Sequence, residues 1–249
     1  MRTFIINLKE STDRRQYMIN EMKKTNLEYE FFDAVNGKNI RNIDEIYLRE
    51  ESFKKIRKIL TYGEIGCAMS HLLIYKKMID ENIEQALILE DDIIVSNDFK
   101  RIFNELLKIK KSNYVILLGQ SDSQLLKKIY RQTVASKYSL VKIFDSGYGT
   151  YGYIIDNAAA RVIYSMNYPV LYEADRWNVF WKFIDIYVLL PYIINYDKDS
   201  VSMINSIESR TVKKAPNQHP LIYIFFRKSF SLAKKIIRAV INCCRIFIP

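Results

Sequence analysis

Apolar residues in this chain fall into short runs separated by stretches with helical spacing, and the two kinds of segment alternate. Residues 3–8 are apolar enough for a short strand buried on both faces. Ser11, Thr12 and Asp13 then offer N-caps for a helix reaching about residue 24. A second strand is expected over 29–35, stopped by the turn signal Asn36-Gly37. Thr61, with Glu64 three residues on, matches a capping box at the head of a helix through 79. Residues 86–89 form a fully apolar strand that runs directly into Glu90, Asp91 and Asp92. Asp98 is placed to cap a helix to about 110, and 114–118 is the next strand, ending at Gly119. Gly147-Tyr148-Gly149-Thr150 reads as a turn, followed by a strand over 151–155 and a helix over 158–164.

This alternation predicts an α/β fold, one domain over 1–210 with a mostly parallel central sheet. Sheets of that kind bind ligands at the carboxyl ends of their strands. Asn7-Leu8 and the three acids both fall at such ends, so they are expected to share one crevice.

From residue 211 the pattern changes. Placed on a helix from Arg227, the polar residues Lys228, Ser231, Lys234, Lys235, Arg238, Asn242 and Arg245 fall within an arc of about 120°, and apolar side chains fill most of the rest. A wide apolar face with a narrow basic stripe predicts a C-terminal amphipathic helix. The partner it suits is an anionic membrane surface, met through residues 221–248; the competing expectation is a helix docked on its own domain.

Charge supports the division. The formal net charge is +10, and the eight Lys and Arg of 211–249, with no Asp or Glu among them, leave only +2 for the rest. The body has no basic stripe with interleaved aromatics, so no nucleic-acid partner is expected. Cys67, Cys243 and Cys244 make neither a disulfide framework nor a metal-ligand spacing, which fits free thiols in a reducing compartment. The apolar start is too short for a signal-peptide core, and no uninterrupted run is long enough to span a bilayer. The body is therefore expected in the cytoplasm, peripheral on the inner face of the cytoplasmic membrane. The abundance of Ile, Lys and Asn hints at an AT-rich bacterial genome.

The chemistry centres on Glu90, Asp91 and Asp92. Three adjacent acids at the end of an apolar strand repel one another unless a cation or a basic partner answers them. Mn²⁺ or Mg²⁺ takes one or two carboxylates and completes its shell with diphosphate oxygens and water, which suits a nucleoside diphosphate leaving group. The alternative is a solvated acidic turn.

Five ordered blocks bear on that choice: Phe4-Ile5-Ile6-Asn7-Leu8 with Thr12-Asp13-Arg14-Arg15; Phe31-Phe32-Asp33-Ala34-Val35-Asn36-Gly37; the run from Leu60 to His71; Ala86 to Asp92; and Gly149 to Ile155. In these blocks, over residues 2–205, the sequence resembles glycosyltransferase family 25, the bacterial lipopolysaccharide and lipooligosaccharide β-galactosyltransferases related to collagen-modifying galactosyltransferases. The resemblance implies a GT-A-like fold, a UDP-sugar donor, a divalent metal at Glu90-Asp91-Asp92 and inversion at the anomeric carbon; the membrane attachment expected of the tail adds a lipid-linked glycan acceptor. Tyr62 and Tyr151 depart from it, standing where the family often has Pro and His.

Within these blocks, Asn7 and Leu8 are candidates to meet the uracil or ribose, and Arg14 and Arg15 the diphosphate, which suits the guanidinium fork. Asp33 is a candidate ribose contact or a plain turn residue. Glu64, Gly66, Ser70 and His71 are further candidates for the donor site, the last two resembling the family's Ser-His pair; they share one helix, where Ser70 and His71 point about 100° apart and cannot face one spot. Gly149 and Gly152, flanking Thr150, permit close approach of backbone to a sugar or phosphate. An inverting transfer needs a carboxylate to accept the acceptor's proton. Asp175 is the candidate base, with Glu173 or a triplet acid as competitors, Asp92 among them, and Trp177 offers a face for a sugar ring. A nucleotidyl- or phosphotransferase and a non-catalytic scaffold of glycan assembly are the rival readings.

The tail generates a test of its own. Each basic residue near an anionic surface contributes about 1 kcal/mol, and six lie between Arg227 and Arg245. The whole chain is expected to sediment with anionic vesicles and to be partly released by high salt. A chain ending at Gln218 is expected to stay soluble and lose vesicle binding; its aggregation would mean that the helix covers a patch on its own domain.

Overall fold

The structure, a computed structural model, describes residues 1–119, 131–144 and 147–196. All belong to Met1–Arg210, the first of two units into which the chain divides. The amphipathic segment expected over 221–248 lies outside the described residues, as do Cys243 and Cys244.

The chain opens with β1 (Arg2–Asn7), α1 (Thr12–Met22), β2 (Glu30–Asp33), one 3-10 turn (Gly37–Asn39), α2 (Ile43–Ile46) and α3 (Arg49–Ile56). Then come α4 (Tyr62–Asp80), β3 (Gln85–Leu89), β4 (Ile93–Val95), α5 (Phe99–Leu107) and β5 (Tyr114–Leu117). The remainder is β6 (Arg131–Ala135), β7 (Tyr138–Lys142), β8 (Gly152–Asp156), α6 (Asn157–Asn167), α7 (Trp177–Phe180), β9 (Asp185–Leu190) and β10 (Ile194–Tyr196).

Among the described residues the main sheet has eight strands in the order β2-β1-β3-β8-β5-β9-β7-β6, with β4 and β10 as a separate antiparallel pair. Six of the eight run one way, and β8 and β7 oppose them. The strand alternation explains the two layers of core. Phe4, Ala86 and Ile88 turn to the face covered by α4 and α6, while Ile5, Leu87 and Leu89 turn to the face covered by α1 and α5. Burying each of these larger side chains contributes about 1.5–3 kcal/mol, and β3 has no solvent face to trade against it.

One strand direction matters most for the site. β8 lies antiparallel between β3 and β5, with Leu89 opposite Gly152, and the Glu90 N–H donates to the Tyr151 carbonyl at 3.0 Å. The approach to β8 is thereby delivered to the carboxyl end of β3. Reading β8 as one more parallel strand would have sent Gly149 and Thr150 to the opposite edge.

α4 begins as its sequence requires. The Glu64 N–H donates to Thr61 Oγ1 at 3.2 Å, and the Thr61 N–H donates to Glu64 Oε2 at 2.9 Å, closing the capping box. Asp98 does stand at the N-cap of α5, but its carboxylate accepts from Arg101 at 2.8 Å and Tyr138 at 2.6 Å rather than from the helix backbone.

Gly66 and Gly37 let α4 rest directly on the turn before it. A Cβ on Gly66 would stand 2.5 Å from the Val35 carbonyl oxygen and 2.7 Å from the Gly37 nitrogen. Both obstacles are backbone, so relief requires moving the helix or the turn. Gly66→Ala is expected to destabilise the fold by about 1–3 kcal/mol, read as a lower urea midpoint. An unchanged midpoint would contradict this packing.

Candidate functional site

The carboxyl ends of the neighbouring parallel strands β1 and β3 meet at Asn7 and the acidic triplet. Asn7 is almost wholly buried. Its Nδ2 donates to Asp91 Oδ2 at 2.8 Å and, more weakly, to the Ser11 carbonyl at 3.3 Å, while its Oδ1 is buried without a partner. Arg14, on the first turns of α1, places Nη1 2.7 Å from Asp91 Oδ1 and 3.2 Å from Asp92 Oδ2. Burial opposes the charge of Arg14, but Asp91 and Asp92 outweigh it and the guanidinium pKa is raised.

The other carboxylates are less well answered. Burial, and then the charge of Asp92, push the Glu90 carboxyl from its ordinary 4.5 to about 8, although the Thr150 hydroxyl donates to it. Burial also raises Asp92 against the opposing pull of Arg14, and Asp92 Oδ1 is buried with no partner. Asp175, from the segment before α7, is raised by burial, while the Gly149 N–H donates to it at 3.1 Å and works the other way. Glu90, Asp92 and Asp175 all act on the Tyr151 phenol, so the three carboxylates share one field.

These residues fit a divalent cation. Oxygen donors suit such an ion, one buried carboxylate oxygen of Asp92 has no partner, and Glu90 resists ionising because it is buried and beside the charge of Asp92. Both oxygens of Asp91 are engaged, by Asn7 and Arg14. Asp92 Oδ1 is the carboxylate oxygen of the triplet left buried without a partner, and Asp91 anchors Arg14.

The remaining sequence candidates divide. Thr150 and Gly149 lie in the crevice, and Gly149 has φ 90°, a conformation that glycine adopts without strain. Leu8 takes its place at the same strand end by accepting from the Ser11 N–H at 2.8 Å. Arg15 does not extend to the triplet; its guanidinium lies 4.1 Å from the centre of the Phe31 ring. Asp33 ends β2, exposed.

Ser70 is structural: its hydroxyl accepts from the Val35 N–H and donates to the Gly66 carbonyl, both at 2.8 Å. Glu64 is occupied by its cap and by Lys58 at 2.5 Å. Gly66 serves the turn, and Gly152 serves the core, since a Cβ there would stand 2.4 Å from Ile194 Cδ1. Trp177 offers no face to a sugar. It is fully buried, edge-on to Tyr153, and its Nε1 donates to the Gly149 carbonyl at 3.0 Å. Asp175 and Trp177 thus hold Gly149 between them.

Between the candidate bases, the surroundings favour Asp175. Glu173 is paired with Lys58 at 3.0 Å and with Arg176 at 2.9 Å. Three residues outside the candidate set also enter. Lys58 joins Glu64 to Glu173, Tyr196 stacks on Tyr151 with ring centres 5.0 Å apart, and Cys67 faces the acids from α4. The one available signal was the departure at Tyr151.

Comparison with known proteins gives the family. A family model described as glycosyltransferase family 25 (LPS biosynthesis protein) matches residues 1–177. Human procollagen galactosyltransferase 2 is 29% identical over 230 residues, covering 88% of this chain and 34% of that protein. The mouse protein of the same name is 31% identical over 232 residues, with the same 88% and 34% coverage. The chain thus spans about a third of the length of these relatives. The solved structure of a glycosyltransferase involved in glycosylation of the major capsid of PBCV-1 aligns over 81% of this chain and 95% of that one, with a TM-score of 0.39 and 7% identity.

The pKa directions give a pH dependence for the metal-free protein. With Glu90 shifted from 4.5 to about 8, the native state holds more protons than the unfolded state between those values. Stability therefore falls as pH rises through that window, and Asp92 and Asp175, both raised, act in the same sense. In chelator, Glu90→Gln is expected to raise the urea midpoint above pH 8 and to change it little near pH 4.5. Equal midpoints for the two chains above pH 8 would mean that Glu90 ionises there without cost.

Proposed function

We propose that this chain, which belongs to glycosyltransferase family 25, transfers a galactosyl group from UDP-galactose to a hydroxyl of a surface-glycan acceptor. Support for the donor sugar comes from relatives named galactosyltransferases, and for the acceptor class from the lipopolysaccharide biosynthesis description of the family. The observation that carries the reading is the pairing of Asn7 and Arg14 on Asp91, beside the unpartnered oxygen of Asp92. It makes a polar cradle with one guanidinium and an excess of carboxylate at the carboxyl ends of two parallel strands, where a nucleotide diphosphate suits the chemistry.

In this proposal Arg14 turns its guanidinium fork to the diphosphate, and Asn7 meets the uridine. Asp175 accepts the proton of the acceptor hydroxyl as that oxygen bonds to the anomeric carbon and the carbon–phosphate oxygen bond breaks, a single displacement with inversion. Burial, which raises its pKa, makes Asp175 a stronger base than an exposed carboxylate. Mn²⁺ or Mg²⁺ held by Asp92 and Glu90 would supply the positive charge that the departing UDP requires. Tyr151 and Tyr196, stacked beside the acids, supply an aromatic surface that a sugar ring can pack against. The acceptor proposed is lipid-linked, of the lipooligosaccharide class, met at the inner face of a bacterial cytoplasmic membrane through the basic segment 221–248.

A panel of UDP-sugars with Mn²⁺ and a glycan acceptor tests the reading by UDP release and sugar incorporation. UDP-galactose is expected to react fastest. Release of inorganic diphosphate instead would favour a nucleotidyl- or phosphotransferase, and turnover of no donor would favour a scaffold. Asp92→Ala is expected to abolish transfer with the fold intact. Asp175→Asn is expected to lower kcat by about 10²–10⁴-fold with UDP affinity retained; collapse of UDP binding with turnover preserved would move Asp175 to the donor side.

A further inference from the structure

α4 carries a second set of ligand atoms that the transfer reaction does not use. Cys67 and His71 are four residues apart, so they lie on one face of the helix, one turn from each other. That face meets the end of β3. A sulfur of Cys67, a ring nitrogen of His71 and a carboxylate oxygen of Glu90 all lie within 4.8 Å of one another.

His71 is the telling residue. It is almost wholly buried, its Nδ1 is 2.6 Å from the Tyr153 hydroxyl, and that hydroxyl is 2.6 Å from the hydroxyl of Tyr75. Its Nε2 is buried with no hydrogen-bond partner. Most buried side-chain polar atoms have a hydrogen-bond partner. Here one nitrogen is fixed by a hydroxyl chain and the other is left bare, which is how proteins orient a metal-binding imidazole. Burial holds the ring neutral, with a pKa lowered to about 3, the form that can donate a lone pair.

We propose that Cys67, His71 and Glu90 bind a divalent ion of the zinc class, with the fourth position left to solvent. The mixed donor set of sulfur, imidazole and carboxylate selects Zn²⁺ or Co²⁺ over Mg²⁺ and Mn²⁺, which prefer oxygen alone. A tetrahedral ion with bonds of about 2.0–2.3 Å holds its donors roughly 3.5 Å apart, so the three side chains need to close by on the order of an ångström. The charges around Cys67 favour a cation. Burial, then Glu90, Asp175, Glu64 and Asp92, hold the thiol protonated; the same acids attract a dication, whose arrival sends the thiol proton and the proton held by Glu90 to solvent. The site is distinct from the oxygen-donor position at Asp92, although both include Glu90, and it stands whether or not the chain transfers sugar.

Cobalt titration of the full chain, with no sugar donor present, tests the proposal. One equivalent of Co²⁺ is expected to give the near-ultraviolet charge-transfer band of a thiolate ligand. The band should persist in a Cys243→Ser/Cys244→Ser chain and in Asp92→Asn, and vanish in Cys67→Ser. Tyr153→Phe, which keeps the ring and removes the hydroxyl that orients His71, should weaken Zn²⁺ binding by about 10–100-fold with the far-ultraviolet circular dichroism unchanged. Absence of the band in the full chain, its survival in Cys67→Ser, or its loss in Asp92→Asn would overturn the proposal, as would unaltered Zn²⁺ affinity in Tyr153→Phe.

Discussion

Three carboxylates leave the end of β3 in succession, and the residues around them are arranged to answer that charge. Two like charges about 4 Å apart near a protein surface cost roughly 4 kcal/mol, too much to leave unopposed at a strand buried on both faces. Arg14 and Asn7 answer Asp91 and part of Asp92. Thr150 answers Glu90 only through a hydrogen bond, which burial and the charge of Asp92 outweigh, so Glu90 keeps its proton more readily. The excess that remains is the feature on which a cation-dependent chemistry can act.

The arrangement depends on backbone placement at three points. Parallel pairing of β1 with β3 sets Asn7 beside Asp91. The antiparallel direction of β8 brings Thr150 and Gly149 to the same end, and Asp175 and Trp177 then hold Gly149 by its N–H and its carbonyl. α4 lies against the turn at Val35–Gly37 because Gly66 has no side chain, and that close seat presents Cys67 and His71 to the acids. A carboxylate cluster made from one tripeptide thus relies on contacts spread from Asn7 to Trp177.

Much of this was legible in the residues, and the division between what was and what was not is physical. The capping box at Thr61 and Glu64 is local chemistry, so four residues suffice to read it. The strand-end positions of Asn7 and Glu90 follow from where apolar runs stop. Strand direction does not: a period of two looks the same read either way, so the reversal of β8 is invisible until its neighbours are known. Long-range pairings were hidden for a similar reason. Lys58 joins Glu173 across 115 residues, and no spacing rule links them. Gly66, Gly152 and Ser70 were read as ligand contacts because small residues serve close packing and close ligand approach alike; only neighbouring atoms decide between the two. Trp177 failed as a sugar platform because its burial depends on Tyr153, itself on another element.

In the proposed reaction Asp92 and Glu90 hold the ion that meets a nucleotide diphosphate, while Asp91 keeps Arg14 in place. Anomalous scattering from crystals soaked with Mn²⁺ and UDP tests it in one measurement. The expected result is a manganese peak within bonding distance of Asp92 and Glu90, bridged to the diphosphate, with the guanidinium of Arg14 on a phosphate oxygen and Asn7 toward the uridine. Manganese and UDP bound elsewhere, with the Asp92 carboxylate still unligated, would contradict it.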